Sequence, residues 1–319
     1  MAAVLAVIFV LVNKSELPSV WNELRHADVR WLLLALAAML ASFTNLGALH
    51  ASAQRAVGLS SSRRLLVTAV KANSLNLVVK SGGMAGLTAF LTEGRRRQVS
   101  RGKIIAAYVL VTTLLEVAFA ALLILVIGVV VAGGRITAPE AIACAVFAVY
   151  LAIRVAILVV AWRSRETLRA VFTWPSRVWA WLTRHPLPQF SHESADELFE
   201  ALQIVRAAPK RALPTTGHAL LVDVIGVIEL WAVCRSIGAG VALGVAFIGY
   251  VVSVLFAIVS VLPGGLGFVE LSLGAVLVSY GATVVTAAAA VVLYRLFELW
   301  LPLLAGGLAT VRLGKPVVP

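Results

Sequence analysis

Charge is what this sequence has least of: Asp, Glu, Lys and Arg make up 13% of its 319 residues, where a soluble domain carries about a quarter. Apolar residues rise to 61%, so the bilayer is the main solvent and an ordinary soluble enzyme is excluded. Cysteine is almost missing. Cys144 and Cys234 both lie in apolar runs, which excludes a disulfide framework or a zinc site and leaves two small core residues. The histidines are scattered at His26, His50, His185, His192 and His218. His185 and His192, near Glu193 and Asp196, read as a surface cluster, and no metal is expected. Neither G-x-S-x-G, H-E-x-x-H nor a Walker A pattern occurs, so the expectation is a non-enzyme without a cofactor. Lys and Arg outnumber Asp and Glu by 27 to 15, but they concentrate in loops between apolar runs, as orientation signals do. That argues against nucleic acid as a partner.

What is present is apolar sequence almost end to end, in runs long enough for transmembrane helices. The expected class is an all-α polytopic membrane protein, a single transmembrane domain over 1–319. Met1 to Val12 lacks a basic n-region and a cleavage site, so it reads as a first helix, truncated, and not as a signal peptide. Apolar runs follow at 31–52, 65–79, 84–91, 104–131 and 141–162, then at 213–233, 241–262, 266–278 and 284–308. Between them, 163–211 carries eight Lys or Arg against five Asp or Glu. There Ser194-Ala195-Asp196-Glu197 resembles a capping box, opening an amphipathic helix expected along the membrane surface, with a plain linker helix as the alternative.

The chain repeats itself. Gly264 lies 182 residues after Gly82, and Glu298 lies 182 residues after Glu116. The same shift places Gly240 on Gly58 and Leu273 on Leu91 without a gap. Repeat one is expected at about 30–132, the cytoplasmic linker at about 163–211 and repeat two at about 212–312. Placing 95–103 and 163–211 in the cytoplasm by the positive-inside rule requires each glycine-broken pair, 65–91 and 241–280, to begin and end on one side. The fold expected is therefore an inverted-topology repeat with broken or re-entrant helices, as in many secondary transporters.

Two polar sets would carry chemistry. Pro263, Gly264, Gly265, Gly267 and Glu270 form a Pro-Gly-Gly break, where proline interrupts the preceding turn and a new helix would aim free amides at a phosphate or carboxylate. A packing kink, or a close helix contact through small residues, is the alternative. Ionisable residues inside the apolar runs are Glu116, Arg154, Asp223, Glu229, Glu270, Arg295 and Glu298. Each costs at least about 2.5–3.5 kcal/mol at the bilayer centre. Glu116 and Arg154 flank the 133–140 turn at similar distances, so an ion pair is expected. Arg295 and Glu298 share a helix face, and Arg295 would also reach Glu270 or a ligand phosphate. Salt bridges that only hold helices together are the alternative for every member. Before the first break, Asn73, Asn76 and Lys80 share a helical face that should look into a cavity; Lys71 reads as snorkelling to the interface.

The expected substrate-binding set is thus Lys80, Gly82, Gly83, Glu116, Pro263, Gly264, Gly265, Gly267, Glu270, Arg295 and Glu298. Glu116, Arg154, Asp223 and Glu229 are expected in ion pairs or a proton relay.

The segment Pro263-Gly264-Gly265-Leu266-Gly267-Phe268-Val269-Glu270, with Tyr294-Arg295 and Trp300-Leu301-Pro302, resembles the P-G-G-x-G-x-x-E and Y-R-x-x-x-x-W-x-P patterns of one family. It is the flippase-like transmembrane domain of lysylphosphatidylglycerol synthases and its stand-alone relatives. In the first half Ser81 stands where that family usually has proline. The resemblance implies movement of an amphipathic lipid between leaflets of a prokaryotic cytoplasmic membrane. The substrate would be a phospholipid or a polyprenyl-phosphate-linked lipid. The soluble aminoacyl-transfer domain of the two-part synthases has no counterpart in these residues, so a stand-alone member is expected. Homo-oligomers or an envelope-lipid enzyme partner are compatible with this. The alternatives are an ion-coupled transporter of a small hydrophilic solute and a non-transporting scaffold for envelope-lipid enzymes.

Overall fold

The computed structural model describes residues 17–62, 64–132, 138–163, 166 and 192–314. The expectations placed on Met1 to Val12, on the Gly133-Gly134-Arg135 turn and on His185 fall outside the described residues. Every regular element among the described residues is helical. In chain order these are α1 Leu17–Arg25, α2 Val29–Ala56, α3 Leu65–Val78, α4 Met84–Arg96, α5 Arg101–Ala132, α6 Ala138–Arg163, α7 His192–Ala207, α8 Leu213–Ser236, α9 Leu243–Val259, α10 Phe268–Ser279, α11 Val284–Arg295 and α12 Leu301–Gly314.

Four stretches are long and apolar enough to cross a membrane: Val29–Ala56, Arg101–Val130, Pro209–Ser236 and Val284–Thr310. At about 1.5 Å per residue each exceeds the ~30 Å hydrocarbon core. The helices beside the glycine breaks are different. With 14, 13 and 12 residues, α3, α4 and α10 reach only about 18–21 Å. α3 packs on α4, and α9 on α10, across the two breaks. The molecule is an all-α, multi-pass integral membrane protein.

The 182-residue shift carries helix onto helix: α1 onto α7, α2 onto α8, α3 onto α9, α4 onto α10, and α5 onto α11 with α12. It also carries backbone conformation. Gly82 and Gly83 have φ of 61° and 90°, and Gly264 and Gly265 have 59° and 69°, a left-handed region that side chains disfavour. The two equivalent long helices, α2 and α8, make the most extensive helix contact in the molecule. Small buried residues such as Ala35, Ala38, Ala53 and Ala219 let them approach closely. Asn45 Nδ2 donates to the His218 carbonyl at 2.9 Å and Ser52 Oγ to Thr215 Oγ1 at 3.0 Å. The halves then exchange partners: α1 packs on α11, α7 on α5, and α3 on α12.

Three expectations need correction. α7 does not offer its apolar face to the membrane surface: Leu198, Ala201, Leu202 and Val205 are buried, and α7 packs on α5. That stripe at helical spacing finds protein in place of lipid. Nor does Glu197 open a helix, since α7 begins at His192; its Oε2 accepts from the Gly102 amide at 2.9 Å, capping α5. The last run holds as one stretch, Val284–Thr310, with one irregularity inside it. A π-bulge spans Leu296–Trp300, with the Leu301 amide reaching back to the Leu296 carbonyl. Pro302, lacking an amide, leaves the ladder short one turn later. Finally, α3 ends at Val78 and Val79 is extended, so Lys80 lies past the helix and does not share its face with Asn73 and Asn76.

Candidate functional site

The second break is built from sequence-local chemistry. After α9 the chain turns extended at Ser260, whose Oγ accepts from the Leu262 amide at 3.0 Å. Pro263 opens a single 3-10 turn through the left-handed Gly264 and Gly265. Gly267 then caps α10, and its amide donates to Glu270 Oε2 at 2.6 Å. Lacking a side chain, Gly267 gives no reciprocal bond, so only half of a capping box forms.

Arg295 pins this break to the next helix. Its side chain is almost fully buried, and Nη2 donates to the Gly264 carbonyl at 2.7 Å. Nη1 donates to Glu298 Oε2 at 2.8 Å, and Nε lies 2.7 Å from Glu270 Oε1. The Nε–H is not aligned for a hydrogen bond to that oxygen, so this third link is a charge contact. The guanidinium fork is thereby committed within the protein. The π-bulge places Glu298 beside it.

The first break is closed by uncharged groups. Asn76 Oδ1 accepts from the Gly86 amide at 2.7 Å and Ser81 Oγ from the Ala85 amide at 2.8 Å. Two first-turn amides of α4 are thus occupied from within the chain. Tyr108 donates to the Gly83 carbonyl at 2.7 Å and accepts from Asn76 Nδ2 at 3.0 Å. The two breaks are adjacent: α3 touches the Pro263–Gly265 turn, and Lys80 Nζ donates to the Ala257 carbonyl. Lys80 also couples electrostatically to Glu298.

Glu116 pairs with Arg154 at 2.9 Å. Tyr150 donates to Glu116 Oε1 at 2.8 Å and accepts from Arg154 Nη1 at 3.1 Å, while Arg154 Nη2 donates to Thr112 Oγ1 at 3.0 Å. This network is separate from the Arg295 group. Asp223 is buried and accepts from Tyr250 at 3.0 Å through Oδ1, while Oδ2 has no partner.

A partly open cavity of about 220 Å³ lies where both halves meet. Its polar lining is Ser42, Asn73, Glu229, Tyr250, Tyr294 and Glu298. Gly226 makes room for one wall: a Cβ there would fall 2.2 Å from the Tyr250 ring. The cavity is bounded by Pro302 and not by the glycines themselves. Of the expected residues, Lys80, Pro263, Gly264, Gly265, Gly267, Glu270, Arg295 and Glu298 are brought into one connected group. Gly82 and Gly83 sit beside it, and Glu229 joins through the cavity. Sequence reasoning does not single out Tyr108, Tyr150 and Tyr250, because a tyrosine in an apolar run reads as core until its hydroxyl partner is known. Among the described residues searched, no group of His, Cys, Asp or Glu has metal-site geometry.

Fold and site together define a polytopic helical membrane protein whose two halves meet at glycine breaks held by buried polar contacts. The chain belongs to the family described as the lysylphosphatidylglycerol synthase TM region, whose family model matches residues 1–306. A comparison with curated proteins finds no match. The family sets the chain in a membrane-lipid context.

Proposed function

We propose that this protein is a translocator, not an enzyme, that moves an amphipathic envelope lipid between the leaflets of a prokaryotic cytoplasmic membrane. The observation that carries the reading is the polar-lined cavity between the halves, beside breaks pinned by Arg295 and Lys80. A lipid headgroup needs a polar path through a medium where unpaired polar groups are costly. Ser42, Asn73, Glu229, Tyr250, Tyr294 and Glu298 offer such a path.

The repeats are read as inverted, with α3–α4 and α9–α10 as re-entrant pairs entering from opposite faces. Their short helices, the matching glycine dihedrals and the exchanged packing of α1 with α11 and α7 with α5 support this. Alternating access would then be a rocking of one repeat against the other. Arg295 serves in this reading as the strut that fixes the second break, and the substrate meets the cavity-facing Glu298. The test is transfer of a fluorescent phospholipid or polyprenyl-phosphate lipid in proteoliposomes. Arg295→Ala and Glu298→Ala should abolish transfer while the protein remains folded and monodisperse; full transfer in both variants would sink the proposal. Uptake of a small polar solute without lipid transfer would favour a solute transporter instead.

A further inference from the structure

One carboxyl lining the cavity has no cation facing it among the described residues. Glu229 lies in α8, is 6% exposed and lines the cavity. Among the described residues lining the cavity none is a cation, and none donates to its carboxylate. The charged groups nearby balance without it. Arg295 and Lys80 supply two positive charges, and Glu270 and Glu298 supply two negative ones. Tyr294 on α11, Tyr250 on α9, and Asp223 and Cys234 on α8 are the titratable groups nearest it, while the basic residues of the packed elements, Arg30, His50 and Arg55 on α2, Arg101 and Lys103 on α5, and His218 and Arg235 on α8, do not line the cavity. An ionised Glu229 would therefore stand uncompensated at membrane depth, facing the like charge of Glu298, and a buried charge without a partner is strongly disfavoured.

We propose that Glu229 holds a proton in this state of the cavity and that lipid passage is linked to release and recapture of that proton. The second half of this inference rests on the translocation reading; the first half is a property of the site alone. A protonated carboxyl is neutral, donates one hydrogen bond and needs no counter-ion. A sodium ion suits the cavity less well, because it wants several oxygen ligands and the walls are largely aromatic and aliphatic, with Met39, Phe43 and Phe297 prominent. On opening, the Glu229 O–H bond breaks and the proton passes to water admitted with the headgroup. On closing, water from the opposite side returns a proton to the carboxylate.

Infrared spectra of the full chain in lipid bilayers at neutral pH test the site. The wild type should display the carbonyl stretch of a protonated carboxylic acid, shifted in D2O, that is lost in Glu229→Gln and kept at a shifted position in Glu229→Asp. No such band, or a band removed by adding sodium chloride, overturns the assignment. The linkage is tested in proteoliposomes holding a pH-sensitive dye. An imposed proton gradient should accelerate transfer of labelled lipid by wild type and leave Glu229→Gln without that response; wild-type transfer indifferent to the gradient overturns it. The two readings fail separately. Lipid transfer without the band sinks only this inference, whereas the band without any lipid transfer sinks translocation and leaves the proton site standing.

Discussion

Arg295 donates to the carbonyl of Gly264, 31 residues earlier, at 2.7 Å. The bond joins the helix that carries the π-bulge to the interior of the second break, and the same side chain engages Glu270 and Glu298. One guanidinium thereby decides the geometry of the break.

Removing it should be costly. Arg295→Ala leaves two carboxylates without their cation and the Gly264 carbonyl without its donor, and breaking a buried pair from one side costs about 3–5 kcal/mol. Arg295→Lys should rescue little, because a lysine ammonium lacks the planar fork that donates to Glu298 and the Gly264 carbonyl while its charge faces Glu270. Thermal unfolding in detergent checks both; an Arg295→Lys melting point equal to that of wild type would show that charge alone suffices.

The matched glycines should respond unequally. Gly82→Ala meets open space and bears only the left-handed backbone, about 1–2 kcal/mol. Gly264→Ala bears the same strain and also sets a Cβ 2.8 Å from Leu299 Cδ1, adding roughly 1–3 kcal/mol of overpacking. The melting points of the two variants should fall in that order.

Glu116 and Arg154 should be coupled. A double-mutant cycle on Glu116→Gln and Arg154→Met is expected to return an interaction of about 0.5–3 kcal/mol. Tyr150→Phe, which deletes a hydroxyl bonded to both partners, should cost about 1 kcal/mol and weaken that coupling. Independent effects of the two mutations would argue against a working pair.

Asn76 serves α4 through one atom and Tyr108 through another. Asn76→Asp keeps the acceptor for the Gly86 amide, while Asn76→Ala loses both bonds. The alanine variant should lose about 1–2 kcal/mol for the missing cap and the aspartate variant less. Hydrogen exchange at the Gly86 amide separates the cases: protection should survive in Asn76→Asp and vanish in Asn76→Ala.

Much of the frame was legible because its causes are local. Apolar run length predicted α2, α5 and α8 to within a few residues, and Pro263 with its glycines announced the second break. The contents of the site were less legible. Nothing local distinguishes Tyr250, which bonds Asp223, from a packing aromatic, and the amphipathic stripe of α7 fits a membrane surface as well as it fits α5. The π-bulge at Leu296–Trp300 interrupts a run that hydropathy reads as unbroken.

The sequence by itself determined that this chain lives in a membrane, that its Gly-Gly pairs and intramembrane glutamates recur at a shift of 182 residues, and that the backbone departs from helix at those glycines. Each follows from composition or from residue types whose dihedral preferences act within one or two turns. Only the tertiary structure decided which charges meet. Arg295 had Glu270, Glu298 and a ligand open to it by spacing, and folding gave it both glutamates and the Gly264 carbonyl. Glu229 received no cation among the described residues that line its cavity. Pairing in a low-dielectric interior depends on distances set by helices far apart in the chain, which no local pattern encodes.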